Sequence, residues 1–103
     1  WGPDYADPTT YLQLLITDSS YNDARYSNEE FDAGYEAIQT GDLVLDEEAR
    51  FEKMIELEKL ALSEGAVLPV YQAASAVLVK GNVDGIGFYT TGTPRIFKYA
   101  VKQ

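Results

Sequence analysis

The sequence predicts an α+β fold in which helices come first and short strands follow. Within residues 1–65, three stretches begin with helix-start signals and continue with apolar residues at helical spacing. From residue 66 onward, β-branched and aromatic residues dominate and are separated by glycine-containing turn signals. A run of helices followed by a run of strands is typical of the α+β class.

The first predicted helix is short and follows a turn-rich opening. Residues 1–8 read WGPDYADP, in which two prolines limit regular structure and two aspartates favour local side-chain turns. Asp7 followed by Pro8 predicts a helix start, with Asp7 as the N-cap and Pro8 in the first helical position. About two helical turns should then carry four apolar residues, namely Tyr11, Leu12, Leu14 and Leu15. The polar stretch 17–26 predicts a loop.

Two further helices are predicted between capping residues and glycines. Ser27, with a glutamate three residues later, has the pattern of a capping box, and Gly41 is a suitable end for that helix. Asp46 and Gly65 bound the third helix in the same way. Leu60 is expected on the polar side of this helix. The apolar stripe is expected to comprise Phe51, Met54, Ile55, Leu57, Ala61 and Leu62.

The strand predictions lie in the last third of the chain. Apolar, β-rich composition predicts strands at residues 66–71, 76–79 and 96–101, with Pro69 implying an edge or a bend. Turns are expected at Lys80-Gly81-Asn82 and at Asp84-Gly85. Short strands with exposed edges favour pairing with further strands, so we expect either a homo-oligomer formed through these edges or pairing with the remainder of a longer parent chain.

Composition excludes several classes of function. The chain has 103 residues and a net charge of −9, which is unsuited to nucleic acid because phosphates require lysine and arginine. Without cysteine or histidine, the common zinc and copper sites and Ser–His or Cys–His catalysis are excluded. No apolar run reaches the length of a membrane span. We therefore expect no metal site of these kinds and no cofactor.

Four blocks of the sequence, taken in order, resemble one protein family. They are residues 1–8 with Tyr11-Leu12, residues 22–32, Arg50 with the helix that follows it, and residues 66–71 with the closing Lys98-Tyr99. Together they resemble the C-terminal segment of the oligopeptide- and dipeptide-binding proteins of bacterial ABC importers. The blocks cover nearly the whole chain.

This resemblance implies a place in a larger molecule. Members of the family have two lobes joined by a hinge and enclose a peptide between them, in a periplasmic-binding-protein-like fold. Residues 1–103 would be a C-terminal segment of one lobe, with a loop and three helices in residues 1–65 and strands returning toward the hinge in residues 66–103. The start at Trp1 is likewise expected to mark a fragment. The parent would be a binding module rather than an enzyme. It would be extracellular and lipid-anchored, or periplasmic, and would deliver peptides to a membrane permease.

The resemblance also implies a ligand site near the start of the chain. In peptide-binding members, the aspartate three residues after the motif's tryptophan pairs with the α-amino group of the peptide, and here that residue is Asp4. A carboxylate is suited to this role because it accepts charge-assisted hydrogen bonds from an ammonium group. Trp1 and Tyr5 are expected to contribute to the ligand pocket, whereas Asp7 is expected to act as a helix cap.

Other functions remain open at the level of sequence. A relative of the same family could take a nickel complex, haem, a sugar or a peptide pheromone in place of a nutrient peptide. A structural or interaction domain with no small-molecule ligand is an alternative of a different class. The carboxylate at Asp4 favours a ligand that carries an amine.

Overall fold

The computed structural model describes residues 1–74, 76–88 and 95–103, and for Arg95 and Ile96 only the backbone. Two units are distinguished within the chain, which we call the helical unit (residues 7–69) and the strand unit (residues 1–6 and 70–103). The helical unit contains α1 Thr9–Leu12, a 3₁₀ helix Gln13–Leu15, α2 Glu29–Gln39 and α3 Glu47–Ser63. The strand unit contains β1 Val83–Asp84, β2 Gly87–Phe88, β3 Arg95–Ile96 and β4 Val101–Lys102. The predicted succession of helices and strands is confirmed.

The first helix begins near the predicted point. The N-cap position falls on Pro8, one residue after the predicted Asp7. Proline has no side-chain acceptor, and the capping hydrogen bond is instead made by Asp7, whose Oδ1 accepts from the backbone N–H of Thr9 at 2.9 Å. The α-helical turn and the 3₁₀ turn that follows it together match the predicted length.

The second helix begins one residue later than the capping-box pattern predicts. Its N-cap is Asn28, whose Oδ1 accepts from the backbone N–H groups of Glu30 at 2.8 Å and Phe31 at 3.0 Å. The predicted cap, Ser27, is engaged elsewhere, because its hydroxyl accepts a hydrogen bond from the Thr17 hydroxyl at 3.2 Å. Asparagine and serine are about equally good N-caps, and in this helix Asn28 supplies the capping acceptor.

The third helix has both of its predicted ends. Asp46 is the N-cap and accepts a hydrogen bond from the backbone N–H of Ala49 at 3.1 Å. At the other end Gly65 has a positive φ of 72°, a conformation that favours glycine. Its N–H donates to the Leu62 carbonyl and the N–H of Ala66 donates to the Ala61 carbonyl, which is the hydrogen-bond pattern of a Schellman motif.

The core of the helical unit lies where the three helices meet. Phe31 and Ile38 of α2 are fully buried, and an edge-to-face contact joins the rings of Phe31 and Tyr26, with centroids 5.5 Å apart. The buried apolar residues are Leu12, Phe31, Tyr35, Ile38, Met54, Leu57 and Ala61. A core this small gives each of its side chains a large share of the stability.

The apolar stripe of α3 is divided between two environments, which corrects the sequence prediction. Only its middle positions, Met54, Leu57 and Ala61, are buried. Three other predicted members are exposed, namely Phe51, Ile55 and Leu62. Leu60, which was expected on the polar side, packs against the core. The helix is thus rotated toward Leu60 relative to the centre of its apolar stripe, which leaves one edge of that stripe uncovered in this unit.

The strand unit contains two short antiparallel pairs. Val83 pairs with Lys102 and Asp84 with Val101, whereas β2 pairs with β3. The predicted turn at residues 80–82 is confirmed by a hydrogen bond of 2.9 Å from the N–H of Val83 to the Lys80 carbonyl. Gly85, in the second predicted turn, has a positive φ of 79°, and a Cβ there would lie 2.1 Å from the Tyr99 carbonyl oxygen. Glycine is therefore required at this position.

The predicted strands at residues 66–71 and 76–79 are not found. Both segments are irregular, and Leu78 is fully exposed. A strand needs a hydrogen-bonding partner, and within the described residues no segment pairs with either of them. The predicted strand at 96–101 is also corrected, because the N–H of Ala100 donates to the Phe97 carbonyl and closes a turn in its middle.

Replacement of Leu57 by alanine is expected to lower the free energy of unfolding by about 2–4 kcal/mol, because it leaves a cavity in the core. Leu57 is 3% exposed, and its Cδ2 lies close to Gly34 of α2, where little can move in to fill the space. The matched control is Leu45→Ala, since Leu45 is 95% exposed and should change the value by less than about 0.5 kcal/mol. Urea unfolding followed by circular dichroism measures both. Equal effects would contradict the assignment of the core.

Candidate functional site

The three residues predicted to bind ligand lie in the short irregular segment at the start of the chain. Trp1 is 58% exposed, Tyr5 is 45% exposed, and Asp4 is exposed as well. The segment belongs to the strand unit and has no helical or strand structure. It presents a carboxylate and two large aromatic side chains within five consecutive residues. This combination suits an ammonium group flanked by apolar surface.

A second group of polar contacts is centred on Asp7, at the start of the helical unit. Its Oδ2 accepts from NH1 of Arg50 at 2.7 Å, and its Oδ1 accepts from the Thr9 hydroxyl at 2.6 Å as well as from the Thr9 N–H. Arg50 also uses its Nε, which donates to the backbone carbonyl of Ile38 at 2.9 Å. The side chains of Arg50 and Asp7 are 17% and 23% exposed. One arginine therefore connects residue 7, the last turn of α2 and the first turn of α3.

The pKa of Asp7 reflects these contacts. Partial burial acts to raise it, but the hydrogen bonds from Arg50 and Thr9 and the charge of Arg50 outweigh this effect and lower the pKa from 3.8 to about 2. The carboxylate is therefore charged throughout the neutral and mildly acidic range. A group that is already saturated with donors is unsuited to receiving a ligand amine, which supports its role as a structural residue.

Sequence reasoning identified Asp7 as a cap but missed its partner. Arg50 lies four residues before Met54 and seven before Leu57, so it shares the buried face of α3. A charged residue on a buried helical face requires a partner, because a buried charge without one is costly. That signal was present in the sequence. A charged residue on an apolar face does not, however, identify Asp7 as the partner, because Asp7 lies 43 residues away along the chain.

A third polar cluster holds the far end of α3. The Tyr26 hydroxyl donates to Glu64 Oε2 at 2.6 Å, and the Asn28 amide donates to both carboxylate oxygens, at 2.9 and 3.1 Å. Partial burial, followed by the hydrogen bond and the charge of Glu64, raises the pKa of Tyr26 to about 12. The donors from Tyr26 and Asn28 lower the pKa of the Glu64 carboxyl. Because Asn28 also caps α2, this cluster is explained by the fold.

The uncovered edge of the α3 stripe lines an open groove of about 730 Å³ within the helical unit. Its walls are mainly apolar and include Tyr11, Leu14, Phe51, Ile55 and Leu62, while its charged residues are Asp23 and Glu58. Such a surface could bury apolar side chains. The residue predicted to bind an amine, Asp4, belongs to the strand unit and does not line this groove, so we do not assign the predicted amine site to it.

Charge is distributed unevenly between the two units. Of the 17 Asp and Glu residues, 15 lie in residues 7–69 together with four of the eight Lys and Arg, which gives the helical unit a net charge of −11. Despite this acidity, the described part of the chain contains no group of three Asp or Glu side chains arranged to hold a metal ion. Among the same residues, no helix is long and apolar enough to cross a membrane.

The variant Asp7→Asn is expected to lower the free energy of unfolding at pH 6 by about 1–2 kcal/mol, since asparagine keeps the capping acceptor but loses the charge that pairs with Arg50. The native pKa lies below the unfolded value, so this contribution is present above about pH 4 and is lost as the pH falls toward 2. Urea unfolding at a series of pH values measures it. The control is Asp42→Asn at an exposed position. A difference that does not shrink in acid would contradict the ion-pair assignment.

Comparison with known proteins places the chain beside bacterial peptide-binding proteins. It is 37% identical over 93 residues to the dipeptide-binding protein of Lactococcus lactis subsp. cremoris, an alignment that covers 89% of the chain. It is 33% identical over 90 residues to the dipeptide-binding protein DppE of Bacillus subtilis, and 35% identical over 85 residues to the periplasmic oligopeptide-binding protein OppA of Salmonella typhimurium. These alignments span 17%, 16% and 15% of the relatives' lengths. No protein-family model matches the chain.

Solved structures give the same result for the fold. The substrate-binding domain of an oligopeptide ABC transporter from Bacillus anthracis matches 99% of this chain with a TM-score of 0.85 and 32% identity, over 20% of its own length. A peptide-binding protein of a peptide ABC transporter matches 64% of this chain with a TM-score of 0.58 and 39% identity. The predicted resemblance is therefore confirmed. The homologues of this chain are dipeptide- and oligopeptide-binding proteins of ABC transporters, and the chain corresponds in sequence and fold to one segment of them.

Proposed function

We propose that this chain forms part of the peptide-binding component of an ABC importer, which captures peptides outside the cytoplasm for uptake. The observation that carries the proposal is the match of nearly the whole chain, in both sequence and fold, to peptide-binding proteins. All three relatives described above are named as binding proteins. The absence of cysteine and histidine from the composition is compatible with a role in binding rather than catalysis.

Asp4 is the residue that we propose to bind the α-amino group of the peptide. An α-ammonium group has one charge and three donors, and a carboxylate can accept several of these hydrogen bonds when the pair is enclosed away from water. Fixing the amino end sets the register of the peptide, so that the main chain is held while side chains vary. The exposed rings of Trp1 and Tyr5 are suited to form the apolar walls around this end.

The partners and location follow from the same proposal. The ligand is a peptide, and the complex delivers it to a permease in the membrane. The protein acts in the periplasm or at the outer face of the cell, as the name of the Salmonella relative suggests. A lipid anchor on the parent protein is the arrangement that we propose for a host without an outer membrane.

In the full-length protein, Asp4→Asn is expected to weaken the binding of dialanine, trialanine and tetraalanine about 10- to 100-fold, which corresponds to about 1.4–2.8 kcal/mol for a charged hydrogen bond. Acetylation of the peptide's amino group should weaken binding to the unsubstituted protein by a similar factor, and should cost little more in the Asp4→Asn variant. Isothermal titration calorimetry measures each affinity.

Matched variants separate this effect from general changes in charge or packing. Asp42→Asn removes the same charge at an exposed position between α2 and α3 and should leave affinity unchanged. Trp1→Ala and Tyr5→Ala should weaken free and acetylated peptides alike, because their contribution is apolar. If Asp4→Asn binds free peptides as tightly as the unsubstituted protein, the assignment of the amine site is wrong. If no peptide binds and native mass spectrometry shows a haem, a sugar or a nickel complex, the proposed ligand class is wrong.

A further inference from the structure

We propose that the groove beside α3 is an interior surface of the parent protein, at which the helical unit packs against a segment of that protein outside residues 1–103. The segment supplies apolar side chains that fill the groove and a lysine or arginine that pairs with Glu58. The proposal rests on the relatedness of the chain to much longer proteins and not on the ligand site at Asp4, so the two are tested separately.

The helix α3 has an apolar edge in addition to the face that it buries in the core. Phe51, Ile55 and Leu62 follow one another at spacings of four and seven residues, which places them along one side of the helix. Each of the three is 40–48% exposed. A helix with apolar side chains beyond its buried stripe is typical of a helix that packs against neighbours on more than one side.

Other parts of the helical unit extend this edge into a groove. Tyr11 of α1 and Val67, beyond the end of α3, also line it, and both are about as exposed as Ile55. Single exposed apolar side chains are ordinary, but a contiguous set of them around one concavity marks a surface that is covered by a partner. The groove is therefore expected to bury apolar side chains of another segment or molecule.

The charges of the groove define the chemistry of that partner. Its charged residues are Asp23 and Glu58, and among the described side chains neither forms an ion pair. Glu58 lies between Ile55 and Leu62 on α3, so a segment that covers those two residues also covers the carboxylate. Removing a carboxylate from water without a partner is costly. The covering segment therefore needs a cationic side chain at this point.

A second copy of the chain does not meet this requirement. Two copies related by a twofold axis bring the same surface together, so the carboxylates of one groove would face those of the other. The helical unit has a net charge of −11, which adds repulsion between copies.

The length of the relatives favours a segment of the parent protein. The substrate-binding domain from Bacillus anthracis contains the fold of this chain, but the chain covers only 20% of it. Most of such a protein lies outside the matched segment, and a longer chain buries a larger share of its surface. The helical unit has only seven buried apolar residues of its own, as expected for one piece of a larger core.

The test uses the full-length protein, with any cysteine outside residues 1–103 replaced by serine. This chain has no cysteine, so Ile55→Cys and Leu62→Cys each introduce a single thiol into the groove. We expect both thiols to react with a maleimide at least about 100-fold more slowly in the folded protein than in urea, because they are reached only when the covering segment opens. The matched control is Glu56→Cys, whose side chain is 62% exposed and lies outside the groove, and which should be slowed less than about threefold.

The cationic partner of Glu58 is tested through the same thiol. In the Ile55→Cys background, Glu58→Lys should raise the maleimide rate of the folded protein about tenfold, because two cations then meet at the covered site. Glu36→Lys makes the same change of charge at an exposed position of α2 and should leave the rate unchanged. An unchanged rate in Glu58→Lys would show that the covering segment has no cation there.

A photo-crosslinker identifies the occupant of the groove. With p-benzoylphenylalanine in place of Phe51, irradiation of the full-length protein should produce a cross-link within the same polypeptide, to a residue outside 1–103, which peptide mass spectrometry locates. A cross-link only to residues 1–6 or 70–103, to a second copy or to another protein overturns the proposal. It is also overturned if Ile55→Cys and Leu62→Cys react as fast as Glu56→Cys in the folded protein. None of these measurements uses a peptide ligand, so failure of the function proposed for Asp4 would not affect them.

Discussion

The ion pair between Asp7 and Arg50 is the contact on which the arrangement of the helical unit depends. The core has only seven buried apolar residues, which is too few to specify by packing alone how the short first helix meets the other two. Arg50 adds directed bonds to that core. Its guanidinium connects the start of the unit with the end of α2 and the start of α3, so that a displacement of any one of these elements breaks a hydrogen bond.

The opposite end of α3 is held by hydrogen bonds of a different kind. A Schellman motif at Gly65 satisfies the last carbonyl groups of the helix, and the Glu64 carboxylate receives hydrogen bonds from Tyr26 and Asn28. The longest helix is therefore fixed at both ends by side chains from earlier parts of the chain. Between these two ends, α3 is held in place by the apolar contacts of Met54 and Leu57.

Features that depend on neighbouring residues could be predicted from the sequence, whereas those that depend on distant ones could not. Asp46 and Gly65 mark the ends of α3 because a cap acts within one turn of the helix. Asn28 rather than Ser27 caps α2, and its amide also binds Glu64, 36 residues away, a contact that no local pattern contains. The β-rich segments before residue 80 are a second example. Their residues have a high propensity for strands, but a strand forms only when another segment hydrogen-bonds to it.

The candidate site shows the same difference between what neighbouring residues and what distant residues determine. Asp4, Trp1 and Tyr5 were identified through their resemblance to a family motif, and periodicity or charge would not have singled them out. Arg50 could be recognised as a charged residue on an apolar face, but its partner required the folded chain. Local physics therefore predicted the helices, and resemblance predicted the ligand site. Neither predicted the ion pair between Asp7 and Arg50.

The groove beside α3 has a consequence for the behaviour of the molecule in salt. The apolar walls of the groove belong to a unit with a net charge of −11, so copies of this unit repel one another. Without histidine, this charge stays nearly constant across neutral pH, and ionic strength becomes the variable that controls the repulsion. The screening length falls from about 30 Å at 0.01 M salt to about 3 Å at 1 M. Concentrated salt therefore removes the electrostatic barrier that keeps exposed apolar surfaces of neighbouring molecules apart, and dilute buffer preserves it.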